Sequence, residues 1–224
     1  CGSFYGIHVI WTPALVEACQ RDLDAAAKAA DTDMTRARVA LTQSGLDNVK
    51  FYLAWRDAVN KCDFAAANKT FDELLAHMDD SCEKGYSAGS YHRGYVERFL
   101  GKCTRQGAER VTGDCKKVVQ LPDVWYLRYD PEGIGESNGW YKAALDTNTW
   151  QAVKTYSATL DEQHVPEQLT WMWYQTTFTA PKDLPKGPLH LWFGEVDGRP
   201  TTVWLNGESM GNTTATRSRT PGEV

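Results

Sequence analysis

Hydrophobic positions recur every three to four residues in the first half of the chain and every two in the second. Thr12-Pro13 predicts a helix start, a capping residue followed by Pro at the first helical position. The stretch Ala14 to Ala30 behind it is rich in Ala, Leu, Glu and Lys, all good helix formers. A second helix is expected after Asp31-Thr-Asp33, with Val39, Leu46, Val49, Leu53 and Trp55 as its stripe, running to about Asn60. Asp63 caps a third, in which Phe64, Ala67, Phe71, Leu74, Leu75 and Met78 recur at helical intervals. A weaker fourth segment covers Ser90 to Leu100, with Tyr91, Tyr95 and Phe99 spaced four apart. Short connections between such helices predict antiparallel neighbours, hence a small bundle.

From about Val118 the rhythm changes. Val124 to Tyr129, Trp150 to Val153, Trp171 to Phe178, Leu189 to Val196 and Thr201 to Leu205 are aromatic and β-branched runs separated by Gly, Pro, Asn and Asp clusters. Leu189, Leu191 and Phe193 alternate with His190 and Trp192, Asp197-Gly-Arg-Pro200 turns the chain, and Val203 and Leu205 alternate before the hairpin dipeptide Asn206-Gly207. Three consecutive antiparallel strands are expected there. Trp192 and Trp204 fall out of phase with the aliphatic positions, so they lie on the opposite face. Cover by the helical half or by a further domain is preferred over a ligand platform. The predicted architecture is α+β with two domains: a helical bundle over 1–115, a linker over 116–122, and an incomplete antiparallel β-sandwich over 123–224.

Composition sharpens this division. All six cysteines lie within the first 115 residues, and seven of the nine tryptophans lie beyond them. No CxxC pair occurs, so a zinc knuckle is unsupported, and three disulfides or buried thiols are both compatible with the spacing. A net charge of −5, from 24 Lys+Arg against 29 Asp+Glu, offers no electrostatic ground for binding nucleic acid or an anionic membrane. No apolar run approaches the roughly 18 residues of a membrane span. The start at Cys1 and the stop at Val224, inside a strand-and-turn pattern, read as a fragment cut at both ends; the alternative is that Cys1-Gly-Ser begins a processed bacterial lipoprotein.

One ordered series in the second half carries a family resemblance. Asp130-Pro131, Gly139-Trp140 and Trp150 lead to Thr170-Trp-Met-Trp-Tyr-Gln-Thr-Thr-Phe-Thr-Ala-Pro181. Leu191-Trp-Phe-Gly-Glu-Val-Asp-Gly-Arg-Pro-Thr-Thr-Val-Trp-Leu-Asn-Gly207 and Gly211 complete it. Residues 122–224 resemble the sugar-binding domain of glycoside hydrolase family 2. That resemblance implies a galactose-binding-like jelly roll preceding a catalytic barrel, as in β-galactosidases and β-glucuronidases. Two departures stand out: Gln175 and Thr176 replace a pair of arginines common in the family, and the family domain continues past the position of Val224. The helical half resembles, through Trp11-Thr-Pro13 and its paired long helices, the helical tail of a bacterial domain that accompanies carbohydrate-active modules.

Candidate chemistry is sparse. A glycosidase needs two carboxylates roughly 5 to 10 Å apart, one with a raised pKa. Glu195 and Asp197 could share a strand face, but Asp197 falls in a turn where its side chain would cap its own backbone. The resemblance also puts the catalytic glutamates in the barrel. His8, His77, His92, His164 and His190 show no ligand spacing, and Tyr91-His92-Arg93 reads as a helix-packing face. There is no P-loop, no GxSxG and no GxGxxG. No cofactor is expected, and structural calcium is not indicated.

Aromatic rings stack on sugar C–H faces while Asn, Asp and Arg bond the hydroxyls. Taken with the family resemblance, this predicts a non-catalytic carbohydrate module with Trp140, Asp197, Arg199 and Asn206 as candidate ligand contacts. The partners that the resemblance implies are carbohydrate and a catalytic domain of the same parent chain, a glycoside hydrolase of periplasmic or secreted bacterial type. A stand-alone lectin-like module and a structural sandwich without sugar affinity are the competing readings.

Overall fold

The computed structural model describes residues 6–86, 93–113, 116–142, 145–166, 168–193, 201–212 and 222–223, leaving aside the side chains of Phe99 and Cys103. Helices and antiparallel sheets divide between two units, Cys1–Asp114 and Cys115–Val224. Asp197, Arg199, Tyr91 and His92 lie outside the described residues, as does Glu195.

In the first unit the short helix α1 (Ile7–Ile10) precedes α2 (Pro13–Ala29), α3 (Asp33–Asn60) and α4 (Phe64–Glu83). Each long helix starts where the sequence supplies a side-chain acceptor for its unpaired amides. Thr12 accepts from Leu15 N, Thr32 exchanges bonds with Thr35 in a capping box, and Asp63 accepts from Ala66 N. The predicted α4 stripe is the core: Phe71, Leu74, Leu75 and Met78 pack with Tyr52, Val96 and Leu100. Each large side chain buried this way contributes roughly 1.5 to 3 kcal/mol. On α3 burial is confined to Ser44, Leu46, Tyr52 and Ala58, and α2 has no fully buried residue. A buried polar tie joins α3 to α4: the Ser44 and Ser81 hydroxyls are 2.7 Å apart, and His77 Nε2 lies 3.0 Å from the Ser44 carbonyl oxygen.

The fourth predicted helix differs from expectation. After α5 (Arg93–Val96), a π-helical turn over Glu97–Gly101 leads into α6 (Lys102–Thr112), well past the predicted end at Leu100. The buried ladder is Val96, Leu100, Thr104 and Ala108, four apart, while Tyr95 is 47% exposed. Close approach explains why a glycine-bearing segment is helical here. A Cβ on Gly101 would stand 2.7 Å from Phe71 Cε1, and one on Gly107 would stand 2.4 Å from Phe64 Cδ1. Thr104 also accepts from Trp55 Nε1 at 2.9 Å, tying α6 to α3.

In the second unit β1 (Val124–Asp130) is the centre of a three-stranded antiparallel sheet between β2 (Gln151–Lys154) and β3 (Trp171–Gln175). One face, through Leu127 and Val153, packs with Val165 against Tyr129 and Leu160. Gln163 occupies the outer edge of β2, accepting from Lys154 N and donating to Lys154 O, which satisfies backbone groups that an edge would otherwise expose. Farther along, β5 (Thr202–Leu205) and β6 (Glu208–Asn212) form the predicted hairpin, with Asn206 and Gly207 at φ 53° and 89°. The expected run of three consecutive antiparallel strands differs from what is seen among the described residues, where β4 (Trp192–Phe193) pairs with β7 (Gly222–Glu223) and not with β5; the turn expected at Asp197–Pro200 lies outside them.

Candidate functional site

The second face of the three-stranded sheet carries Arg128 and Asp130 on β1, opposite Trp173 and Trp171 on β3. Asp130 is the pivot. The strand ends there, Pro131 turns the chain, and the carboxylate folds back over the turn. Its Oδ1 accepts from Ile134 N at 2.9 Å, and its Oδ2 from Gly135 N at 2.8 Å and Trp173 Nε1 at 3.1 Å. Gly133 and Gly139, both at φ 68°, take the left-handed conformations that the loop needs. Gly135 is required for a different reason: a Cβ there would lie 2.2 Å from Trp173 Nε1 and 2.7 Å from Trp140 Cε3.

The loop delivers Trp140 beneath this face. Trp140 is 7% exposed and Trp150 6%, and the two rings meet edge to face at 5.6 Å. Trp173 meets Trp140 edge to face at 6.0 Å and stacks on Trp204 at 5.1 Å, while Tyr141 stacks on the same Trp204 at 5.8 Å. Trp204 is thus covered by β3 and the Tyr141 loop of its own unit. The Arg128 guanidinium lies 4.1 Å from the centre of the Trp140 ring and 6.0 Å from that of Trp150, a cation–π placement.

Burial by itself would push the Asp130 carboxyl up. Hydrogen bonds from Gly135, Ile134, Trp173 and Gly133 outweigh it and hold the group below its ordinary 3.8. Asp123, before β1, behaves alike: burial is outweighed by the Ser157 hydroxyl and the amides of Tyr156, Ser157 and Thr155. A glycosidic general acid needs the opposite displacement. Both aspartates are therefore suited to anchoring the chain.

Of the residues singled out from sequence, Trp140 and Asn206 are placed in one corner. Asn206-Gly207 is the hairpin tip beyond Trp204, and a Cβ on Gly207 would lie 4.0 Å from Lys142 Cα. Gln175 and Thr176, at the arginine positions of the family, bond to backbone instead: Gln175 Nε2 to Lys142 O and Thr176 Oγ1 to Val124 O. Asp130, Arg128 and Trp173 had no assigned role. Asp130-Pro131 followed by Gly133 and Gly135 is an Asx-turn signal, but its meeting with Trp173 is nonlocal.

A β-glucuronidase of Paenibacillus borealis is 24% identical to this chain over 93 residues, 41% of this chain and 15% of that protein. The chain thus spans a small part of that relative. No family model matches the chain, and no solved structure matches it significantly. It is a weak, partial homologue of a β-glucuronidase. This supports an origin related to glycoside hydrolase family 2 and a carbohydrate-related context. Among the described residues no three His, Cys, Asp or Glu side chains converge as a metal site, and no helix is long and apolar enough to cross a membrane.

Proposed function

We propose that this chain is a non-catalytic, carbohydrate-associated part of a glycoside hydrolase-type protein. Its second unit is a galactose-binding-like jelly roll that positions or binds a glycan. The observation that carries this reading is the Asp130 pivot. The family-like series of residues converges there on one tryptophan-lined corner, in a chain partly related to a β-glucuronidase. The Asp130 oxygens are occupied by two amides and an indole, and its displaced titration suits an ionised anchor. Nothing in that arrangement performs proton transfer to a glycosidic oxygen. The glycan would meet the corner from the solvent side, at the Asn206 tip, with buried Trp140 as the support beneath Arg128 and with Asp197 and Arg199, outside the described residues, as further contacts. The parent protein is then the hydrolase, with its two catalytic carboxylates in another domain, and the protein works in the bacterial periplasm or outside the cell.

A glycan array probed with the whole chain, together with an aryl glycoside turnover assay, tests this. Binding to at least one glycan class without turnover is expected. Turnover that disappears in Glu195→Gln would contradict it, because the hydrolytic group would then lie within this chain.

A further inference from the structure

Five aromatic rings of the second unit form an unbroken row of contacts. Trp150 meets Trp140 at 5.6 Å, Trp140 meets Trp173 at 6.0 Å, Trp173 stacks on Trp204 at 5.1 Å, and Trp204 stacks on Tyr141 at 5.8 Å. Every step lies within the roughly 4.5 to 7 Å over which aromatic rings touch. Outside the sulfur-bearing side chains, indole and phenol give up one electron most readily. Between rings in contact, that electron moves without a bond being made or broken.

The row is polarised along its length. At the inner end the Arg128 guanidinium lies 4.1 Å from the centre of the Trp140 ring and 6.0 Å from that of Trp150. A cation so placed opposes the positive charge that remains on a ring after it loses an electron. In the middle, Asp130 Oδ2 accepts from Trp173 Nε1 at 3.1 Å, and this anion favours the same charge on Trp173. Burial pushes the Asp130 carboxyl up, but hydrogen bonds from Gly135, Ile134 and Trp173 hold it below its ordinary value. It is therefore a poor base for the indole proton, and the charge on Trp173 stays mobile. At the outer end Tyr141 is partly exposed, whereas Trp140 and Trp150 are buried.

We propose that this row is a one-electron relay that carries oxidising equivalents away from the buried Trp150–Trp140 pair and releases them at Tyr141. A one-electron oxidant, an oxygen-centred radical, removes an electron from an indole of the inner pair and is reduced to its anion. Trp173 then refills Trp140, Trp204 refills Trp173, and Tyr141 refills Trp204 while its phenolic proton passes to water. Every indole is restored, and one neutral phenoxyl radical stands at the surface. There a dissolved one-electron reductant returns the electron and water returns the proton. The relay needs no sugar, and its failure would leave the glycan reading untouched.

The test is pulse radiolysis of the whole chain with the azide radical, which takes one electron from tryptophan and becomes azide anion. The indolyl absorption is expected to decay as the phenoxyl absorption grows, in a first-order step whose rate does not change with protein concentration. Tyr141→Phe loses that step. Trp204→Phe loses it too, since phenylalanine keeps a ring in the stack but holds its electrons more tightly. Near-ultraviolet circular dichroism checks that both variants are folded. Tyr156→Phe, at an exposed tyrosine outside the row, leaves the step as it was. A step of unchanged rate and size in Tyr141→Phe or in Trp204→Phe overturns the relay. So does phenoxyl growth whose rate scales with protein concentration, or no growth at all in the unaltered chain.

Discussion

Asp130 shows how one side chain organises a corner. Three donors converge on a carboxylate that is only 2% exposed, so removing an acceptor leaves buried N–H groups without a partner. Asp130→Asn turns one oxygen into a donor facing donors. The expected loss is about 2 to 4 kcal/mol in the unfolding free energy of the second unit, measured by urea titration of tryptophan fluorescence. The same residue predicts a pH dependence. Its pKa, like that of Asp123, is lower in the folded protein than the ordinary 3.8. The stabilisation is therefore complete above that ordinary value and is lost as pH falls through the folded values. Melting temperatures should hold from neutral pH down to about pH 4 and drop below it, and the drop should be smaller in Asp130→Asn. A melt that strengthens on acidification would contradict this. None of it was legible as function in the sequence, where Asp130 stood only as part of a resemblance.

At the level of elements, what could be read depended on where the decisive contact lay. Helices α2, α3 and α4 were legible because Thr12, Thr32 and Asp63 cap them locally and Phe71 to Met78 repeat in phase. Helix α6 was not, because Gly101 and Gly107 look like breakers until Phe71 and Phe64 press against them. The same contrast gives opposite signs for one substitution. Gly45 is exposed on α3 with nothing within 4 Å of an added Cβ, so Gly45→Ala should stabilise the helical unit by roughly 0.5 to 1 kcal/mol. Gly107→Ala gains the same propensity but drives into the Phe64 ring, for a net loss of about 1 to 3 kcal/mol. Denaturant curves followed by helical circular dichroism distinguish the two. In the second unit the β5–β6 hairpin was legible from Asn206-Gly207. The β4–β7 pair was not, because its partner is nearly thirty residues away.

Across the whole molecule, the separation of cysteines from tryptophans marked a change of character near residue 115. The change of hydrophobic period near residue 118 agrees with the observed helices and sheets. The candidate site was only partly visible. Trp140 and Asn206 do share a corner, but its organising contacts run from β1 to β3 and from β3 to β5, which no local pattern reports. The central claim is that this corner presents its outer residues to a sugar while its inner tryptophans serve as scaffold. Indole N–H correlation spectra of the whole chain, recorded during glycan titration, test it most directly. The account predicts that the Trp171 resonance moves while those of Trp140 and Trp150 stay in place. Spectra unchanged by every glycan, or movement confined to Trp140 and Trp150, would contradict it.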